Sequence, residues 1–106
     1  MKYIISESKL NDIIYKYLDL NLKGLNKRKP RTFKGKLFTY PDDIYGILGY
    51  ENDGTLHIYY GLVDDISSNF GLDEYGSESI IGRWFSDRYQ LEVTNTKESL
   101  KLEIMR

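Results

Sequence analysis

The chain has 106 residues, 41% hydrophobic and 29% charged, with a formal net charge of −1 and no cysteine. That length fits a single domain, residues 1–106, able to bury a modest core, and the missing cysteine excludes disulfides, thiolate nucleophiles, Cys-ligated zinc and iron–sulfur clusters. The near-zero charge conceals a separation, because residues 1–41 carry net +7 and residues 42–106 net −8.

The opening Met1-Lys2-Tyr3-Ile4-Ile5-Ser6-Glu7 has too short an apolar run for a signal peptide and meets an acid at once. No later stretch approaches the ~18 consecutive apolar residues of a membrane span. A protein that is not secreted by a signal peptide and has no membrane partner is expected. From Ser6 to about Asn21, Leu10, Ile13, Ile14, Tyr17 and Leu18 recur at helical spacing, with Lys9, Asp12, Lys16 and Asp19 opposite, which predicts an amphipathic helix. Ser6 is placed to cap it and Gly24 to stop it. Residues 23–32 carry the basic run and Pro30 with little apolar periodicity, so a solvated, flexible basic loop is expected there.

From Phe33 the period changes to two. Phe33 to Tyr40, Ile44 to Glu51 and Thr55 to Val63 are predicted strands, the last two joined by a turn at Asn52-Asp53-Gly54. Gly46 and Gly49 inside the second strand point to a bulge or a close backbone approach. Asp64-Asp65 is placed to cap a short helix to about Asn69, and Asp73 a longer one to about Tyr89 with Ile81, Trp84, Phe85 and Tyr89 as its stripe. Gln90 to Thr94 reads as a strand, Asn95 to Glu98 as a turn, and Leu100 to Ile104 as a final strand. The expected fold class is α+β, with helices on one face of a small antiparallel sheet.

The string Tyr3-Ile4-Ile5-Ser6-Glu7-Ser8-Lys9-Leu10, with Ile13-Ile14 and Tyr17-Leu18-Asp19, precedes the basic loop and the hairpin. Ile80-Ile81-Gly82-Arg83-Trp84-Phe85 then runs to Tyr89-Gln90-Leu91-Glu92-Val93. In this layout the chain resembles a loose group of small uncharacterised bacteriophage and environmental viral proteins. The resemblance implies a phage-type accessory or virion protein, placed in the infected host's cytoplasm or in the particle, and supplies no catalytic residues. Gly82 departs from the group's pattern and is expected to disturb the last helix. The absence of alanine and the wealth of Ile, Lys and Tyr follow AT-rich codons.

No catalytic set is present. His57 is the single histidine, and a strand position between apolar neighbours assigns it to packing. Without a second His or any Cys a transition-metal site has no ligand set, and the acidic pairs at turns and helix starts are read as caps, not metal ligands. No Ser stands in a Gly-x-Ser-x-Gly elbow. Neither enzyme activity, metal nor cofactor is expected.

The remaining signal is charge. Between Leu20 and Tyr40 stand seven cations and no acid, and between Asp42 and Glu78 nine acids and no Lys or Arg. Lys27, Arg28, Lys29, Arg31, Lys34 and Lys36, with Phe38 and Tyr40, form one candidate binding surface. Asp42, Asp43, Asp64, Asp65, Asp73, Glu74 and Glu78 form a second, acidic one. Opposite patches on one small domain suit protein–protein contact or self-association. The alternative is a nucleic-acid-binding module, in which the cations neutralise phosphates while Phe33, Phe38 and Tyr40 stack on unpaired bases.

Overall fold

The computed structural model describes residues 7–105; the cap expected at Ser6, and the opening string up to it, lie outside them. The elements in chain order are α1 (Glu7–Asn21), β1 (Asn26–Arg28), β2 (Gly35–Thr39), β3 (Leu48–Glu51), β4 (Thr55–Tyr59), α2 (Tyr60–Phe70), α3 (Glu74–Tyr89) and β5 (Asn95–Ser99). The strands form one sheet in the order β1-β2-β3-β4-β5. The first four pair antiparallel, whereas β4 and β5 run parallel. The fold is α+β as expected, but the sheet is mixed, because the α2–α3 crossover returns the chain in the direction it left.

The helices share one face of the sheet. Phe38, Leu48 and Ile58 stand level across β2, β3 and β4, and with Leu56 they join Ile14 and Leu18 of α1, Leu62 and Ile66 of α2, and Ile81, Trp84 and Phe85 of α3 in one buried cluster. Their spacing follows the helical period in the helices and the period of two in the strands. Gly24 and Gly71, both in the left-handed region at φ 73° and 66°, follow α1 and α2, the first where a stop was expected. The carboxylate of Asp73 accepts the backbone N–H of Gly76 at 2.6 Å, and α3 passes through Gly82 without interruption.

Several element boundaries differ from the sequence expectation. The strand read as Ile44 to Glu51 begins only at Leu48, because the chain bends between Asp42 and Ile47 and forms there a single bridge, at Tyr45. The strand read as Thr55 to Val63 ends at Tyr59, since Leu62, Val63 and Ile66 turn the same apolar residues into a helix stripe. Asp64-Asp65 therefore lies inside α2 and caps nothing, and the capping position falls at Tyr59 without a side-chain bond. Residues 90–94 pair with no strand, whereas Asn95–Ser99, read as a turn, form β5. The loop expected over 23–32 contains β1, paired with β2 through Lys27↔Phe38 and Arg28↔Leu37.

The chain's end pairs with two segments that flank the strands. The final strand expected at Leu100 to Ile104 is reduced to two single bridges, Pro30↔Ile104 and Tyr45↔Glu103, both antiparallel. The N–H of Arg31 donates to Glu103 O at 3.0 Å, that of Met105 to Lys29 O at 2.7 Å and that of Gly46 to Leu102 O at 2.8 Å. The segment 102–105 thus lies between 29–31 on one side and 45–46 on the other, with Leu102 and Pro30 buried. Among the described residues no helix is long and apolar enough to cross a membrane.

Candidate functional site

The three-segment ribbon made by the chain's end forms the base of a cleft of about 740 Å³. Arg28 and Arg31 line one side, Asp42, Asp43, Ile44 and Tyr45 the other, and Glu103, Ile104 and Met105 the floor between them. Its placement follows from pairing. The run after β1 stays extended to pair with the end segment, and Pro41-Asp42 makes a turn, with Asp42 at φ 68° and the N–H of Asp43 bonded to Tyr40 O.

One guanidinium is already engaged, since Arg31 lies 3.2 Å from Glu103 Oε2, and Lys101 approaches the same carboxylate at 3.4 Å. Lys101 also sits 4.9 Å from the centre of the Tyr45 ring, and its contacts with Tyr45 first and Glu103 second raise its pKa. Asp43 Oδ1 accepts the N–H of Tyr45, which fixes the turn. Among the described residues Arg28, Asp42 and Asp43 belong to no ion pair of this chain. All three are exposed. Ile44, Tyr45 and Met105, beside them, are 60%, 40% and 55% exposed.

The expected basic surface is divided by the sheet. Lys27 and Lys36 share the helix-side face with Phe38, through i, i+2 alternation on β2 and the Lys27↔Phe38 pairing, while Arg28 shares the opposite face with Leu37. Lys29 and Lys34 are exposed beyond the strand ends. Phe38, placed in a binding role by the sequence, is a core residue instead, 1% exposed and in edge contact with Phe85 at 5.3 Å. Tyr40 is half-buried with its hydroxyl bonded to Asn21 O at 2.9 Å, and burial first, then Asp65, raises its pKa.

The acidic surface is divided too. Asp73 is spent as the cap of α3, and Asp65 is held by the hydroxyl of Tyr17 and the amide of Asn69. Glu78 faces β5, where burial, then Glu98 and Glu74, raises its pKa while a bond from Thr96 opposes them. Asp64 and Glu74 are exposed on α2 and α3. Only Asp42 and Asp43 enter the cleft, and they face part of the basic run. The floor residues Glu103, Ile104 and Met105 escaped sequence reasoning because their site role depends on a pairing more than 70 positions distant in the chain. The one available signal was Ile44-Tyr45, an apolar pair directly after an acidic turn.

His57 is outside this cleft. It is 9% exposed, stacked on Phe33 and bonded to Glu51 Oε1 at 2.9 Å. Among the described residues no group of three or more acidic or imidazole side chains converges as metal ligands. Comparison with protein-family models, with curated proteins and with solved structures finds no match to this chain.

Proposed function

We propose that this domain works by binding a protein, without catalysis, and that the cleft face makes the contact. The observation that carries the reading is the meeting of unpaired opposite charges, Arg28 against Asp42 and Asp43, around the exposed apolar Ile44, Tyr45 and Met105. Tyr, Met and Arg are the side chains that protein interfaces favour, and a charged rim around an apolar centre is their usual anatomy. A phage-type accessory or virion role is the setting implied by the resemblance, and rests on it alone.

Nucleic acid fits this surface less well. Single-strand binding needs free aromatic faces along a basic track, whereas Phe38 is buried, Phe33 is covered by His57 and the cations point to both sides of the sheet. The carboxylates of Asp42 and Asp43 would also repel phosphate at the cleft.

The test is a pull-down with tagged protein from host lysate that also contains an untagged copy of the chain, with and without nuclease. Three baits are compared: wild type, I44D/M105D in the cleft, and K34E/K36E outside it. A discrete protein that survives nuclease, is lost with I44D/M105D and is kept with K34E/K36E is expected. Recovery abolished by nuclease, or indifferent to the cleft variant, overturns the reading.

A further inference from the structure

Resting on that protein-binding reading, we propose that the cleft face pairs with the same face of a second copy of this chain, about a two-fold axis parallel to residues 102–105. The argument is one of register. The bonds from Arg31 N–H to Glu103 O and from Met105 N–H to Lys29 O set Arg31 level with Glu103 and Lys29 level with Met105. The Tyr45↔Glu103 bridge sets Tyr45 level with the same Glu103 from the other side. Asp42 and Asp43 lie in the turn that leads into Tyr45, on the side of the ribbon opposite Lys29 and Arg31.

A rotation by 180° about an axis above this face and parallel to the middle segment keeps every level and exchanges the two sides. Residues 28–31 of one copy then lie over residues 42–45 of the other, and the reverse holds by symmetry. Arg28 comes over Asp42 and Asp43, with Lys29 adding to the positive charge on that side, while Arg31 stays with Glu103 and Tyr45 with Lys101. Ile44, Tyr45 and Met105, exposed in the single chain, fill the centre. A foreign partner would need opposite charges on two sides of its surface at matching levels. A second copy has them by construction, and the charges it would pair are those left unpaired within the chain.

The test is sedimentation velocity on the full chain in about 0.05 M and about 1 M salt, where screening lengths differ several-fold. A dimer at low salt is expected, with its dissociation constant raised at least ~10-fold at high salt. R28E/K29E and D42N/D43K are each expected to be monomeric, and their equimolar mixture dimeric; asparagine is used at 42 because it tolerates the left-handed backbone there. I44D, at an exposed position, is expected to abolish the dimer as well. Urea melts equal to wild type show that each variant is folded.

Wild type that stays monomeric at roughly 1 mM, assemblies that grow beyond two copies, or a mixture that fails to dimerise overturns this pairing. Capture of a different protein through the cleft by a monomeric chain would leave the functional reading standing while this inference fails. Loss of every cleft-dependent partner would remove both.

Discussion

The imidazole of His57 lies on the ring of Phe33, with centroids 4.4 Å apart and planes 12° from parallel. Gly49, the cross-strand partner of His57, makes the room for it, since a Cβ at 49 would fall 2.6 Å from Phe33 Cζ. The chain's one imidazole is thus consumed in covering the sheet.

This geometry makes the cost of a side chain at 49 conditional on Phe33. G49A is expected to destabilise by about 1–3 kcal/mol through overpacking, and F33A by about 2 kcal/mol, less than truncation of a fully buried phenylalanine. The double variant should cost at least about 1 kcal/mol less than the sum, because removing the ring removes the clash. Urea titration followed by Trp84 fluorescence measures all three, and strict additivity would mean that Gly49 does not accommodate Phe33.

Asp19 joins α1 to α3 through two partners, Arg88 and Trp84. Arg88, its main partner, and the Trp84 indole at 2.9 Å hold its carboxyl below the usual range, against the opposing effect of burial. A depressed folded pKa gives stability that is present above the unfolded value and lost as pH falls through the folded one. D19N is therefore expected to be weaker than wild type at neutral pH, the gap closing in acid as wild-type Asp19 is protonated. D19A also strips the acceptor from an indole that is 2% exposed, adding about 1–3 kcal/mol that persists at low pH. Melts of the three proteins across acid pH separate the two contacts.

How much of this was legible follows from which residues carry two signals. The stripe of α3 and its cap at Asp73 were readable because period and cap agree, and the stripe of α1 was readable from period except at Ile13, which is 47% exposed. The β4–α2 junction was not, because Leu56, Ile58, Tyr60 and Leu62 alternate like a strand while Leu62, Val63 and Ile66 repeat like a helix, and Tyr59 offers no side-chain cap to mark the change. In β5 the sequence Asn-Thr-Lys-Glu-Ser has no apolar residue, since this edge strand is held by backbone pairing to β4 and contact with α3. Leu91 and Val93, apolar enough to suggest a strand, pack against the core without pairing. As for the site, the charge separation is a property of sequence order, and the sheet converts it into opposed sides of one cleft. That conversion depends on the pairing of 29–31 and 45–46 with the chain's end, for which period and composition give no sign.

Tyr15 of α1 donates its hydroxyl to Asp87 of α3 at 2.9 Å. Burial first, then that carboxylate, pushes its pKa from the ordinary 10.0 up to about 12. The neutral phenol is the form the fold favours, so its contribution is complete below pH 10.0 and is lost as pH rises towards about 12. Y15F is expected to flatten the alkaline decline in stability over that window. In a phenolate absorbance titration, the wild-type minus Y15F difference should lie at the upper end of the curve. A difference centred at the ordinary tyrosine value would show that the Asp87 contact does not hold in solution.

Gly82 stands in the middle of α3, where alanine normally gains about 1 kcal/mol of helix propensity. Here a Cβ would lie 3.1 Å from Thr96 Cγ2 on β5 and 3.6 Å from Val93 Cγ1. Thr96 has little freedom to yield, because a β-branched side chain is stiff at χ1 and its hydroxyl is bonded to Glu78. Overpacking should therefore exceed the propensity gain, making G82A destabilising by about 1 kcal/mol. T96S removes the offending methyl while keeping the hydroxyl for Glu78, and in that background G82A should stabilise by about 0.5–1 kcal/mol. Thermal melts of the four proteins complete the cycle. If G82A is already stabilising beside Thr96, the edge strand gives way at this point, and the contact between α3 and β5 is looser than its spacing requires.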